Sequence, residues 1–261
     1  MNRDESESDV TFGQNVRKVF PKADFFVDAS REKTLDESLR RIVELILGNT
    51  FRSPTRDEVG MFHAYAAALR SSSLQRQVGA AIGNRDGDIV AVGTNEVPRS
   101  GGGPYWPEDS DDSRDFVHGV EINDVLKRRM LSDIIKRLGE AKWLSRNRSR
   151  QSVESLTDEL LKFGIIKDAQ VMNILEFGRC VHAEMAALME AARRGVAVRG
   201  CTIYSTTFPC HECTRHIVAA GIKRVVYVEP YPKSLAPELY PDSVAIDDPR
   251  RRAMKFVLNR L

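Results

Sequence analysis

Apolar residues recur along the chain with two different periods, and the change of period predicts the order of helices and strands. Apolar positions spaced three and four apart predict a helix over Thr34–Leu47 and another that starts near Pro54 and runs to about Ser71. Short apolar runs at Val78–Ile82 and Asp88–Val92, separated by a turn with glycine at both ends, predict a β-hairpin. The pattern therefore passes from helices into a sheet.

The pattern becomes helical again between the hairpin and residue 177. Three apolar stripes predict three helices, one over Val125–Leu138, one starting at Val153 and one over Ile165–Leu175. We interpret the region of about 105–177 as a helical insertion. The basic segment Arg146–Arg150 falls in a loop of this insertion, where a solvated linker is favoured over a binding patch.

Two further helices alternate with two further strands after the insertion. Helices are predicted over Cys180–Arg194 and Cys210–Ala220, and strands over Cys201–Ser205 and Lys223–Val228. Successive strand–helix–strand crossings imply parallel pairing and a sheet with helices on its faces. We therefore predict an α/β protein with a central mixed sheet flanked by helices.

Length, charge and cysteine content restrict the class of protein. At 261 residues the chain can bury a core, and no apolar run approaches the length of a membrane span. The formal net charge of +2 does not favour nucleic acid as a partner. Four cysteines in a chain of this length do not form a disulfide scaffold, and a reducing cytosol suits thiolate metal ligands. We therefore expect a cytoplasmic protein.

The candidate chemistry is concentrated in two short segments, C-V-H-A-E from residue 180 and F-P-C-H-E-C from residue 208. Together they contain H-x-E followed by P-C-x-x-C, the signature of zinc deaminases. His182, Cys210 and Cys213 supply three ligands for one Zn²⁺ and leave a fourth position open for water, as a catalytic zinc requires. Glu184, two residues after the histidine, is the candidate that moves protons beside the metal.

A structural zinc site is the first alternative. A fourth protein ligand would close the site, and the chain offers four candidates: Cys180, Cys201, His211 and His216. Such a protein would be a non-catalytic regulatory module, in which Glu184 is replaceable without consequence.

Further segments resemble the deoxycytidylate (dCMP) deaminase branch of the zinc-dependent cytidine deaminase superfamily. They are R-Q-V-G-A-A-I from residue 76, G-T-N from 93, H-A-E from 182 and Y-S-T-T-F-P-C from 204. The resemblance covers roughly residues 55–229, apart from the insertion. It implies a cytidine deaminase-like three-layer α/β/α fold with one Zn²⁺ per chain. It also implies hydrolytic conversion of a deoxycytidine nucleotide, dCMP and/or dCTP, to the deoxyuridine nucleotide and ammonia.

A sharper resemblance is to bacterial anti-phage dCTP/dCMP deaminases, carried by F-G-Q-N-V-R from residue 12, T-N-E-V-P from 94 and E-P-Y-P-K-S from 229. Those proteins have a P-loop kinase-like module ahead of the deaminase, whereas this chain contains no G-x-x-x-x-G-K-[ST]. We therefore interpret residues 1–50 as a leader and linker helix, the tail of a missing module, and residues 51–261 as the deaminase domain. The resemblance implies a homo-oligomer and a role in anti-phage nucleotide depletion. No regulatory nucleotide, RNA or protein is identified.

The resemblance also implies contacts with the substrate. Asn95 matches the asparagine that contacts the nucleoside in these enzymes. Tyr204 and Phe208 match the wall around the base, although packing in the core explains these two aromatic residues equally well. Contacts with a phosphate need a cation or a hydroxyl group in reach, and the candidates are Arg76, Lys233 and Ser234.

The second alternative keeps the chemistry and changes the substrate to a tRNA or a single-stranded nucleic acid. Such an enzyme requires a basic, aromatic-lined groove around the site.

Overall fold

The computed structural model describes residues 25, 27, 32–166, 169–174, 176–246 and 254–258. These residues divide into two units. The first comprises the described parts of Met1–Ser71, Gln77–Asn95 and His182–Leu261, and the second comprises those of Ser72–Arg76 and Glu96–Val181. Most of the predicted leader lies outside the described residues, and the region interpreted as an insertion falls within the second unit.

Six of the seven predicted helices are present among the described residues with changed bounds, together with two short helices that were not predicted. They are α1 Glu32–Ile46, α2 Arg56–Ala68, α3 Asp115–His118, α4 Ile122–Glu140, α5 Val153–Lys162, α6 Ala183–Arg193, α7 His211–Ala219 and α8 Ala236–Leu239. None of these described helices combines the length and the apolar character that crossing a bilayer requires.

The described residues of the first unit form a six-stranded mixed sheet, which confirms the predicted fold class. Its strands are β1 Gly79–Gly83, β2 Ile89–Thr94, β3 Thr202–Thr207, β4 Arg224–Glu229, β5 Val244–Ile246 and β6 Met254–Leu258. Their spatial order is β2-β1-β3-β4-β6-β5. Strand β1 is antiparallel to both its neighbours, whereas β3–β4, β4–β6 and β5–β6 are parallel pairs. The first predicted crossing runs from β2 through α6 to β3. It does not join paired strands, because β1 lies between β2 and β3 in the sheet.

Helices cover both faces of this sheet and complete the predicted three layers. Helix α2 packs on one face, where Met61 and Ala64 join Tyr204 in a buried apolar cluster. Helix α6 packs on the other face, and α7 packs against α6. Because side chains alternate along a strand, Tyr204 and the next residue, Ser205, point into different layers.

Two glycines allow these helices to approach the sheet closely. A Cβ atom at Gly79 would lie 1.9 Å from the carbonyl oxygen of Ala64 in α2. A Cβ atom at Gly93 would lie 2.2 Å from the carbonyl oxygen of Ala183 in α6. Any side chain at either position would displace helix backbone, so glycine sets the spacing of both layers.

The start of α2 differs in detail from the prediction. Thr55 is the N-cap, and its hydroxyl accepts a hydrogen bond from the Glu58 amide at 3.2 Å. The Glu58 carboxylate accepts in turn from the Thr55 amide, which completes a capping box. Pro54 therefore precedes the helix and does not occupy its first turn. Arg41 of α1 also binds the Glu58 carboxylate, at 2.6 Å.

The second unit is largely helical, with α4 packed against α5. The predicted third helix over Ile165–Leu175 is wrong, because the described residues there contain only a 3-10 turn at Gln170–Asn173. Two physical reasons account for the difference. Its N-cap, Ala169, makes no side-chain capping bond, and a segment this short is marginal as a helix without strong packing.

Candidate metal centre

His182 and Cys210 each occupy the N-cap position of a helix. The structure begins α6 at Ala183 and α7 at His211, so both helices start later than the sequence predicts. Both caps have extended backbone, with ψ of 152° at His182 and 167° at Cys210. Each residue therefore lies at the positive end of a helix dipole, beside unpaired N–H groups. At Cys210 this environment favours the thiolate form of the side chain.

The three predicted zinc ligands converge. His182 Nδ1 lies 3.2 Å from Cys210 Sγ and 3.4 Å from Cys213 Sγ, and the three atoms lie within 4.8 Å of one another. Nitrogen and sulfur ligands placed tetrahedrally at ordinary zinc distances lie about 3.6 Å apart. The donor set and its spacing therefore fit zinc.

Hydrogen bonding concentrates negative charge on one sulfur of this group. The Cys210 sulfur accepts hydrogen bonds from Cys213 and from His182, which lower the pKa of the Cys210 thiol to about 4. The hydrogen bond to Cys210 raises the pKa of His182 to about 9, and the pKa of Cys213 is raised well above its ordinary value. A lowered pKa favours the thiolate form of Cys210, which is the form that binds a metal ion.

Glu184 lies in the first turn of α6 and is only 4% exposed. Burial raises the pKa of its carboxyl group, and the negative charge of Cys210 raises it further. Ser205 Oγ donates a hydrogen bond to Glu184 Oε1 at 3.3 Å from the adjacent strand β3. Sequence reasoning missed Ser205, although alternation along the strand could have placed it on the face opposite Tyr204.

The structure brings Tyr204 to the core and not to the metal group. Its ring packs against α2, and its hydroxyl donates to Asp57 Oδ1 at 3.3 Å. The Asp57 carboxylate also binds the Arg224 guanidinium through two contacts of 2.6 Å. Of the two interpretations of this aromatic residue, the structure supports packing in the core.

Phe208 and Ser234 lie at the entrance to α7. Phe208 is buried directly before Pro209 and stacks edge-on against Tyr227, with ring centroids 4.9 Å apart. Ser234 Oγ donates to the Pro209 carbonyl oxygen at 2.7 Å. Both residues therefore contact the segment that leads into Cys210, and the Ser234 hydroxyl fixes the loop after β4 to that segment.

Asn95 follows β2 directly and is 9% exposed. Its Oδ1 accepts a hydrogen bond from the Val78 amide at 2.6 Å, and its backbone carbonyl accepts from the Ser71 hydroxyl at 2.8 Å. The side chain thus has a structural role at the end of the hairpin. The remaining two candidates, Arg76 and Lys233, have exposed side chains, Arg76 in the second unit and Lys233 in the first.

The residues considered as a fourth ligand do not join the metal group. Within the described chain, the group formed around His182 contains neither of the other two cysteines, Cys180 and Cys201. It also contains neither His211 nor His216. A three-ligand set leaves a coordination position open, which is the arrangement of a catalytic zinc.

A family model described as "Cytidine and deoxycytidylate deaminase zinc-binding region" matches residues 54–229. Curated relatives are similar over shorter segments. The deoxycytidylate deaminase of Enterobacteria phage T4 is 44% identical over 54 residues, covering 21% of this chain and 28% of that protein. The human deoxycytidylate deaminase is 43% identical over 47 residues, covering 18% and 25%. A probable deoxycytidylate deaminase of Drosophila melanogaster is 24% identical over 172 residues, covering 66% and 58%.

Each of these aligned segments spans less than two thirds of the relative's length. Among solved structures, the dCMP deaminase of cyanophage S-TIM5 in complex with dCMP and dUMP is 18% identical, with a TM-score of 0.43. That alignment covers 80% of this chain and 100% of the other.

Proposed function

This chain belongs to the cytidine and deoxycytidylate deaminase zinc-binding family, and we propose that it hydrolyses the exocyclic C–N bond of a deoxycytidine nucleotide. Water is consumed, and the products are the deoxyuridine nucleotide and ammonia. The observation that carries the proposal is the convergence of His182, Cys210 and Cys213 at the starts of two helices. A buried carboxyl group, that of Glu184, lies in the first turn of one of these helices.

Zinc is the cofactor, because the matched family region is a zinc-binding region and the donor set fits the metal. His182 Nδ1 and the sulfur atoms of Cys210 and Cys213 would hold it. A zinc ion bound there supplies Lewis-acid activation of water at neutral pH.

Glu184 is the proton carrier of the proposed reaction. Its raised pKa brings the carboxyl group closer to the working pH of a general acid–base catalyst. The carboxylate takes a proton from the attacking water and delivers it to the ring nitrogen, and a second transfer protonates the departing amine. The Ser205 hydrogen bond to Oε1 restricts the orientation of the carboxylate during both transfers.

The substrate assignment rests on the names of the relatives and on the predicted contacts. The phage T4 and human relatives are named deoxycytidylate deaminases, which favours a deoxycytidine monophosphate. We assign nucleoside contacts to Asn95 and Phe208. The exposed cations Arg76 and Lys233 are assigned to phosphate groups, and contacts with a second and a third phosphate would extend the substrate to dCTP.

Ammonia release from the zinc-loaded full chain tests the proposal. The substrates are dCMP, dCTP, CMP, deoxycytidine and a tRNA adenosine stem-loop in parallel, with Glu184→Ala as the control. Release from dCMP or dCTP that is absent in the control is the expected result. Silence on every nucleotide at full zinc occupancy overturns it, and release from the stem-loop alone identifies a nucleic-acid deaminase.

The resemblance to anti-phage deaminases extends the proposal to nucleotide depletion during infection. Cells expressing the chain are expected to lose dCTP and to yield fewer phage than cells expressing Glu184→Gln. Equal phage yields, with both proteins expressed at the same level, would remove the defence role and leave the reaction intact.

A further inference from the structure

The turn after α4 holds a lysine in a backbone conformation that favours glycine. Lys142 has φ of 58° and is the one non-glycine residue with positive φ among the residues described. Its amide donates to Gly139 O at 3.0 Å and the Trp143 amide donates to Leu138 O at 2.9 Å, which together form a Schellman motif. Helices α1, α3, α6 and α7 end in the same pair of bonds, but with glycine at this position: Gly48, Gly119, Gly195 and Gly221.

The residue after Lys142 is a tryptophan whose side chain is 80% exposed. In a Schellman motif this position commonly carries an apolar side chain that packs back on the helix. Trp143 is instead presented to solvent. The end of α4 thus departs twice from the arrangement that would stabilise the fold best, and such departures tend to occur at functional sites.

The same turn carries a local excess of positive charge. Residues 141–152, here called the α4–α5 tip, contain four basic residues and no acidic one. Arg148 forms an ion pair with Glu159 of α5 and also contacts Gln151, so its charge is neutralised by a residue of the same unit. The other three basic residues are exposed and form no ion pair with a described residue: Lys142, Arg146 and Arg150.

The two arginines of the tip that form no ion pair with a described residue lie at one turn of the chain. The Ser149 amide donates to the Ser145 carbonyl at 2.9 Å, so the segment turns as one helical turn. Arg146 lies within this turn and Arg150 follows it directly, and both are exposed. The tip therefore presents one tryptophan and three cations on an ordered, exposed turn.

We propose that the α4–α5 tip binds single-stranded nucleic acid, with a base stacked on Trp143 and phosphates held by Lys142, Arg146 and Arg150. An exposed aromatic side chain in the same short segment as exposed guanidinium and ammonium groups is the combination that recognises bases and phosphates together. A protein partner needs about 800 Å² of complementary surface, which a turn of this size does not supply by itself. The whole-chain charge of +2 is compatible with this binding, because local charge determines affinity for phosphates.

Fluorescence anisotropy tests the proposal with a labelled single strand of about 12 nucleotides, as DNA and as RNA. The zinc-loaded full chain is titrated at about 50 mM and 200 mM salt. Binding with a slope of about −2 in log affinity against log salt is expected for three phosphate contacts. Trp143→Ala should weaken binding about 5- to 150-fold, the range for loss of one stacked base.

Lys142→Gly is the sharpest variant, because glycine suits the backbone at this position. It removes one charge without loss of stability, and should reduce the salt slope by about 0.7. Trp106→Ala, which changes the only other tryptophan of the chain, and Lys162→Gln, at the far end of α5, are the matched controls and should leave the affinity unchanged.

Three outcomes overturn the proposal. One is no change in anisotropy with either strand. A second is equal affinity of the wild type and Trp143→Ala, which would show that no base stacks on Trp143. The third is competition by polyglutamate as effective as that by an unlabelled strand, which would identify an acidic polypeptide as the partner.

Discussion

Ser205 Oγ donates a hydrogen bond to Glu184 Oε1 at 3.3 Å, and both residues are shielded from solvent, with exposures of 0% and 4%. A buried carboxylate that lacks donors is unfavourable, because it loses hydration without compensation. Strand β3 supplies one donor, Ser205, from the same sheet that supports α6, beside the hydrogen bonds that Glu184 receives from its own backbone and from Cys213. The relationship thus joins the candidate proton carrier to the rigid part of the fold.

Ser205→Ala removes this donor and is expected to lower kcat about tenfold, with little change in KM. The expected size follows from the loss of one hydrogen bond to a charged group. Steady-state kinetics with dCMP measure both constants. Thr202→Ala, at the partly exposed start of the same strand, is the control and should leave kcat unchanged. An unaltered kcat in Ser205→Ala would show that the hydrogen bond does not position the carboxylate.

Glu184→Gln separates proton transfer from metal binding. The amide has the same shape and still accepts a hydrogen bond, but it cannot carry a proton. Turnover is expected to fall about 10²- to 10⁴-fold. Zinc content, measured by plasma mass spectrometry, should be unchanged, since Glu184 is not part of the ligand group. A variant that retains full turnover would contradict the assigned role.

The capping box of α2 makes stability depend on pH. Burial alone raises the pKa of Glu58, but hydrogen bonds from Thr55 and Arg41 outweigh it, and the pKa lies below its ordinary value. A carboxyl group with a lowered pKa stabilises the folded state above its unfolded pKa, and this stabilisation is lost as the pH falls through the folded value.

Glu58→Gln keeps an acceptor for the Thr55 amide but removes the charge that Arg41 and the helix dipole stabilise, so it should reduce the free energy of unfolding at neutral pH by about 0.5–1 kcal/mol. The difference from wild type should shrink as the pH falls below about 4.5. Urea denaturation across this range measures it. A difference that stays constant down to pH about 3 would exclude the ionised carboxylate as the cause.

Lys142→Gly is expected to raise the free energy of unfolding by about 0.5–1 kcal/mol. Glycine removes the strain of the left-handed conformation, and its larger backbone entropy in the unfolded chain offsets part of that gain. Gly119→Ala is the mirror control: it shares the Schellman geometry, has φ of 64° and open space around its Cβ, and should lose stability. Calorimetry compares the two, and a lower melting temperature for Lys142→Gly would contradict the prediction.

The sequence predicts the fold class and the three side chains that converge in the candidate metal centre, because both depend on local patterns. Helical periodicity locates α6 and α7, and the spacing of Cys210 and Cys213 places both sulfurs at one helix start. The sequence does not reveal Ser205 as a partner of Glu184, because that contact depends on which face of β3 meets α6. The sequence also predicts a helix over Ile165–Leu175 where the described residues form only a short 3-10 turn, because apolar periodicity carries no information on capping or packing.

The two close-packed glycines provide a paired test of how the fold holds the candidate site. A methyl group at Gly93 would meet the backbone of α6 at Ala183 O and at Ala187 N, 2.2 and 2.3 Å away. A methyl group at Gly79 would meet the backbone of α2 at Ala64 O, 1.9 Å away. Both clashes are with backbone, so both alanine variants should lose stability by about 2–3 kcal/mol.

The consequences for zinc should differ between the two variants. Gly93→Ala displaces the first turn of α6, which follows His182 and contains Glu184, so the folded variant should bind zinc more weakly and turn over more slowly. Gly79→Ala displaces α2, which contributes no ligand, so its folded fraction should keep wild-type zinc affinity. Competition with a fluorescent zinc chelator, at a temperature where both variants are folded, measures the affinities. Equal loss in both variants would mean that the whole sheet, and not its contact with α6, determines the geometry of the ligands.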